Sequence, residues 1–128
     1  MKIFYSHHLY KYGTKIEEME IRMIKEQFPD AEIFNPATDI DQNMPTENIM
    51  QECVKQVNSS DVVVFSTLSG LIGKGCFTEI SEAFRAGIPL FVISGNSVVK
   101  VDNFSYHLTK SGNNREYAVV SVNENNPS

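Results

Sequence analysis

One stretch constrains the fold more than any other, the run from Asp61 to Ile93. Val62 to Phe65 is a short, unbroken apolar segment, as expected of a strand buried on both faces. Ser66 to Gly75 then breaks into small and polar residues with Gly70, Gly73 and Gly75. A helix is expected from about Cys76 or Phe77 to Gly87, and after Pro89 a second buried strand, Leu90 to Ile93. Strand, glycine-rich turn, helix, strand is a βαβ unit. Its loop lies at the carboxyl end of the first strand, where open α/β sheets place ligands.

The helix of this unit has a readable face. Phe77, Ile80, Ala83 and Phe84 form one apolar stripe. At about 100° per residue, Glu82 lies nearly opposite that stripe and Glu79 at its edge, in the first turn. The partial positive charge of a helix start favours an ionised carboxylate. Two readings of Glu79 stay open. It complements the helix dipole, or it is a nucleophile or electrostatic stabiliser beside a ligand loop.

Around this unit the pattern is β-α-β-α-β-α-β, then a mixed segment and a last strand. Lys2 to Ser6 is the first strand. The loop Ser6 to Thr14 leaves its carboxyl end carrying His7, His8, Tyr10 and Tyr12. These side chains either contact a polar, planar ligand or form a solvated turn over a core edge. Two adjacent histidines fall short of the ligand set a metal needs, and no metal is expected. Thr14 caps a helix with Glu17 as its capping-box partner. Ile16, Met19, Met23 and Ile24 mark the buried stripe of that helix. Glu17, Glu18 and Glu20 read as a solvated acidic face, with Glu17 reaching into the site as the alternative.

Ala31 to Phe34 is the second strand, Asn35 to Pro45 a polar loop, and Thr46 the cap of a helix with Ile49, Met50, Cys53, Val54 and Val57 inward. Val98 to Lys110 alternates Phe104, Tyr106 and Leu108 but is polar, and no element is assigned to it. Glu116 to Val122 reads as a strand at a sheet edge, and 123–128 as a disordered tail. The expectation is one α/β domain over residues 1–122: a three-layer, flavodoxin/Rossmann-like fold with a mostly parallel five-stranded sheet in the order 2-1-3-4-5. That order brings Ser6–Thr14 to face Thr67–Gly75.

Composition narrows the partners. A net charge of -5 without a basic run argues against a nucleic-acid polymer as ligand. No apolar run approaches the roughly 20 residues of a membrane span. Met1-Lys2 runs straight into the first strand, so no leader is expected, and Cys53 and Cys76 read as free thiols of a reducing cytoplasm. Gly73-Lys74-Gly75 precedes the helix start. Backbone N–H groups and a lysine there hold a phosphate, or the glycines merely allow a tight turn. The segment matches neither the P-loop nor the dinucleotide fingerprint.

These residues also carry a resemblance. The opening K-I-F-Y-S, the D-V-V-V strand at Asp61, and the paired segments Gly75–Glu79 and Ala83–Pro89 resemble the nucleoside 2-deoxyribosyltransferase-like superfamily, which includes the 2'-deoxynucleoside 5'-phosphate N-hydrolases. The resemblance covers roughly Lys2 to Ile93. It implies that Glu79 attacks the anomeric carbon of a sugar. It further implies that Ser6, His7, His8, Tyr10, Ser69, Gly70, Gly73, Lys74 and Gly75 contact a small nucleoside or nucleotide, and that a homodimer closes the site. No cofactor is implied. Cys53 stands where the family carries a helix aspartate, Gly73 where it often carries Ser or Asp, and Phe4 where transferases carry Tyr. Phe4-Tyr5-Ser6 and Cys76–Glu79 are also similar to segments of TIR domains, which cleave the nicotinamide bond of NAD. Both resemblances converge on a glutamate at an N-glycosidic bond. The alternative of another class is a module that binds or sequesters a nucleotide without turnover.

Overall fold

The computed structural model describes residues 1–124. Three parallel pairings build the centre of the sheet. β1 (Lys2–Ser6) lies between β2 (Glu32–Phe34) and β3 (Val62–Phe65), and β3 pairs with β5 (Leu90–Ser94). All four residues of β3 are buried, and each such valine contributes roughly 1.5–3 kcal/mol by leaving water.

Side-chain alternation along the strands separates two cores. Phe4, Val63 and Phe65 pack with Cys53 and Val57 of α3 (Thr46–Asn58) and with Ile80 and Ala83 of α4 (Lys74–Ala86). Ile3, Tyr5, Val62 and Val64 pack with Ile24 of α1 (Lys15–Gln27). Helices therefore cover both faces. The α4 helix ends at Gly87, whose φ of 71° is the left-handed conformation that glycine adopts without a Cβ penalty.

The far side of the sheet departs from expectation. Beyond β5 comes β6 (Ser97–Lys110), then β7 (Glu116–Glu124), then β4 (Leu71–Gly73), each antiparallel to its neighbour. The fifth position of the five-stranded, mostly parallel part thus belongs to β6, in the order β2-β1-β3-β5-β6, and not to Glu116–Val122. The segment after Val98 was too polar for a buried strand because it is an exposed one. Its alternation, Tyr106 and Leu108 against Ser105, His107 and Thr109, is the period-two signal of a strand with one face half covered. Asn123 and Glu124 belong to β7, so the expected tail is wrong there, and residues 125–128 lie outside the described residues.

Two further elements lie inside expected loops. Asn35 caps a single helical turn, α2 (Pro36–Asp39), by accepting from Ala37 N–H. The loop after β3 contains a tight hairpin: Leu68 and Leu71 exchange two backbone hydrogen bonds of 2.9 Å around Ser69 and Gly70. Both turn residues have positive φ, 51° and 78°, as a two-residue hairpin of this hand requires. The hairpin yields β4, which leads directly into α4, so that helix begins at Lys74 and not at Cys76 or Phe77.

Candidate functional site at the rim of β1 and α4

In α4 the buried residues are Cys76, Glu79, Ile80 and Ala83, a stripe of i, i+3, i+4 and i+7. The expected stripe was rotated by about one residue. Phe84 is exposed, and Phe77 turns to the hairpin of β6 and β7, stacking on Tyr117 at 3.9 Å and meeting Tyr106 edge-on at 4.7 Å. Glu79 therefore sits within the buried face, only 5% exposed, and not at its edge.

The strand parity of β1 supplies its partner. Ser6 falls on the same face as Phe4, toward α4, and its Oγ donates a hydrogen bond of 2.6 Å to Glu79 Oε1. The Cys53 thiol of α3 favours its ionised form as well. None of the ion pairs among the described residues involves Glu79. Burial lifts its carboxyl from the ordinary 4.5 to about 7, against the opposing pull of Ser6 and Cys53. The helix start was expected to hold this carboxylate ionised. A helix dipole contributes about 0.3–1 kcal/mol, rarely 2, and desolvation outweighs it. In return Glu79, once ionised, raises the proton affinity of Tyr12, Cys53 and Cys76, whose own burial is the larger cause in each case.

The opposite face of β1 carries a second polar cluster. Tyr5 points toward α1, and its hydroxyl donates to Glu20 Oε1 at 2.5 Å. Lys11 spends three protons on Glu20 Oε2, Ser66 Oγ and the carbonyl of Thr67, at 2.8, 2.9 and 2.7 Å. Ser66 in turn donates to Glu20 Oε1 at 2.7 Å. His7 lies flat on the Tyr5 ring at 3.8 Å, and its Nε2 is 2.7 Å from Glu17 Oε2. Burial holds this imidazole below the ordinary 6.5, against the pull of Glu17 at Nε2 and of the Tyr5 carbonyl, 3.3 Å from Nδ1. The two acids of α1 read as a solvated face are thus buried, and Ile16 and Met19, read as core, are exposed. Thr14 does cap α1 by accepting from Glu17 N–H at 3.3 Å, but the Glu17 carboxylate returns to Gly13 N–H and His7 rather than to Thr14.

The remaining residues expected at the site are dispersed. His8 Nδ1 accepts from Tyr10 N–H at 3.1 Å, which leaves the proton on Nε2, on the side of Gly73. The Tyr10 ring lies 4.8 Å from His8 and is 76% exposed. Ser69 and Gly70 form the hairpin turn, and the carbonyl of Gly70 accepts from Val119 N–H. Gly73 is the N-cap residue of α4, without a side-chain cap. Gly75 faces Met50, and exposed Lys74 lines a cavity of about 370 Å³ with Thr46, Glu47, Met50, Gln51 and Thr78. A second cavity of about 540 Å³ lies between α1 and the turn joining β5 to β6. Glu79 lines neither.

The structure therefore joins Ser6 to Glu79 and brings His8 to Gly73, while His7 is committed to α1. Tyr12, read from the sequence only as a ring for a planar ligand, lies near Glu79; sequence reasoning missed Cys53 and Cys76 as neighbours of that carboxyl, and Tyr5, Lys11, Glu20 and Ser66 across the sheet. Strand parity was a usable signal, because it sends Tyr5 and Ser6 to opposite faces. A carboxyl with a proton affinity near neutrality can give or take a proton at physiological pH. When ionised in so dry a setting, it stabilises a cation strongly. No helix among the described residues is long and apolar enough to cross a membrane. No protein-family model matches the chain, and no curated protein matches its sequence.

Proposed function

We propose that this protein acts at the N-glycosidic bond of a small nucleoside or nucleotide, with Glu79 as the catalytic group. The observation that carries the reading is the buried pair of Glu79 and Ser6 at the carboxyl rim of the parallel strands, its carboxyl raised to about 7. In this reading the three-layer, flavodoxin/Rossmann-like arrangement opens its ligand edge where β1 and β3 end. The bond from the anomeric carbon to the base breaks, its electron pair leaves with the base, and the base takes up a proton. The sugar is left as an oxocarbenium ion that the Glu79 carboxylate stabilises or captures as an ester. Water or a second base then completes hydrolysis or transfer. The Ser6 hydroxyl holds the carboxylate in place, Gly73, Lys74 and Gly75 contact phosphate or sugar, and His8 with Tyr10 contacts the base.

Incubating the protein with deoxynucleosides, deoxynucleotides and NAD, and separating free base by chromatography, tests this. Release of base is expected, rising with pH through about 7 as Glu79 ionises, and lost in Glu79→Gln. Unchanged turnover in that variant removes Glu79 from the chemistry.

A second reading has its own observation. Glu79 is enclosed by Ser6, Cys53 and Cys76 and lines neither cavity, as suits a structural carboxyl beneath a module that binds a nucleotide without turnover. Saturable binding in calorimetry without base release selects it.

A further inference from the structure

Glu79 keeps one oxygen uncommitted. Ser6 occupies Oε1, and no hydrogen bond among the described residues reaches Oε2. Among those residues the only buried side-chain nitrogen or oxygen without a partner is Arg115 Nε, so Oε2 touches solvent-accessible space although Glu79 is buried. Tyr12 is in the same position. It closes the single 3-10 turn Leu9–Lys11 through its N–H to the carbonyl of Leu9, and its half-buried ring leans on His7 at 4.8 Å. Its hydroxyl gives and takes no hydrogen bond among the described residues. Of the acidic groups around that hydroxyl, Glu79 acts on it most strongly, ahead of Cys76, Cys53 and Glu17. Glu17 is already engaged on both oxygens, by Gly13 N–H and by His7. The thiols are weak acceptors. Glu79 Oε2 is the acceptor left.

The occupied oxygen fixes which way such a bond runs. With Ser6 donating to Oε1, a protonated Glu79 carries its hydrogen on Oε2 and gives it to the Tyr12 oxygen. An ionised Glu79 accepts on Oε2, and the phenol donates. Burial and the carboxylate hold that phenol above its ordinary 10, so it remains a donor at every pH the protein meets. A hydrogen bond to a carboxylate is about twice as strong as one between neutral groups, so the pair favours ionisation. We propose that Tyr12 is a positioning residue of this site, its hydroxyl closing on Glu79 Oε2 and holding the ionised carboxylate at the rim. The other groups facing Glu79 are Ser6 of β1, Cys53 of α3 and Cys76 of its own helix, and no cation among the described residues pairs with it. Lys11 is felt on this side only at Cys76, with its three protons spent across β1.

Carboxyl resonances of protein labelled with carbon-13 at glutamate, followed from about pH 4 to about pH 9.5, test the pairing without substrate or turnover. The Glu79 signal is the one missing from Glu79→Gln. Its midpoint is expected to rise by about one pH unit in Tyr12→Phe, which keeps the ring on His7 and removes only the oxygen. Ser6→Ala, which removes the donor already in place, should move it in the same direction. A Tyr12→Phe midpoint within about 0.3 units of the parent, or below it, overturns the proposal. The chemistry proposed for Glu79 is read separately. Base release that depends on Glu79, with no midpoint shift in Tyr12→Phe, keeps that chemistry and removes this pairing; a shift without base release does the reverse.

Discussion

Replacing Glu79 with glutamine is expected to stabilise the protein above neutral pH and to do little below pH 4.5. The reasoning rests on a carboxyl that folding raises from 4.5 to about 7. Below the lower value it is protonated both folded and unfolded. Between the two, the unfolded chain releases a proton that the folded protein keeps, so the stability held by the neutral form is lost as pH rises. Above about 7 the loss is complete. At about 1.36 kcal/mol per pH decade, that interval comes to roughly 3 kcal/mol. An amide stays neutral and can still accept from Ser6, so the variant avoids most of this loss. For a chain of this size the difference corresponds to roughly 10 °C in Tm. The chain has no tryptophan, so far-ultraviolet circular dichroism during urea unfolding is the natural reporter, run on both proteins between about pH 4.5 and pH 8. The gap in unfolding free energy should open as pH rises through the interval. A gap that stays flat, or a variant less stable than the parent at about pH 8, refutes the burial argument.

Other consequences follow from the second cluster and the thiols. Lys11→Met leaves Glu20 buried without its cation and should cost about 3–5 kcal/mol in urea unfolding, with much of it regained in Lys11→Met/Glu20→Gln. His7→Gln keeps a donor toward Glu17. Because folding depresses the His7 imidazole, the parent loses stability as pH falls below 6.5, and the variant should lose less over that window. Burial pushes the Cys76 thiol up to about 12 and that of Cys53 upward as well. An aromatic disulfide reagent should therefore label neither cysteine in the native protein and both after denaturation.

The sheet centre was legible because its strands obey one rule. Val62 to Phe65 and Leu90 to Ile93 are apolar runs bounded by breakers, and buried parallel strands are made that way. The two helices beside the site were misread by about one residue each, for a shared reason. In α1 and α4 the apolar residues alone suggested the inward face, yet Glu17, Glu20 and Glu79 belong to it. A helical wheel counts a glutamate as solvent-facing unless a partner is in view. Those partners, Lys11, His7, Tyr5 and Ser6, lie on other elements, where only pairing in three dimensions brings them close. The strand β4 was hidden for a similar reason. Three residues carry no period of their own, and what makes Leu71–Gly73 a strand is a partner more than forty positions away.

That long-range pairing bears on the order of assembly. Leu71, Ile72 and Gly73 take their places against Ala118, Tyr117 and Glu116, so the segment that launches α4 waits until those residues have emerged from the ribosome. The centre of the sheet can form earlier from β1, β2, β3 and β5. Glu79 is thus set into its final surroundings in a closing step, and a nascent chain stopped after β5 would carry the carboxyl without the finished scaffold that leads into its helix.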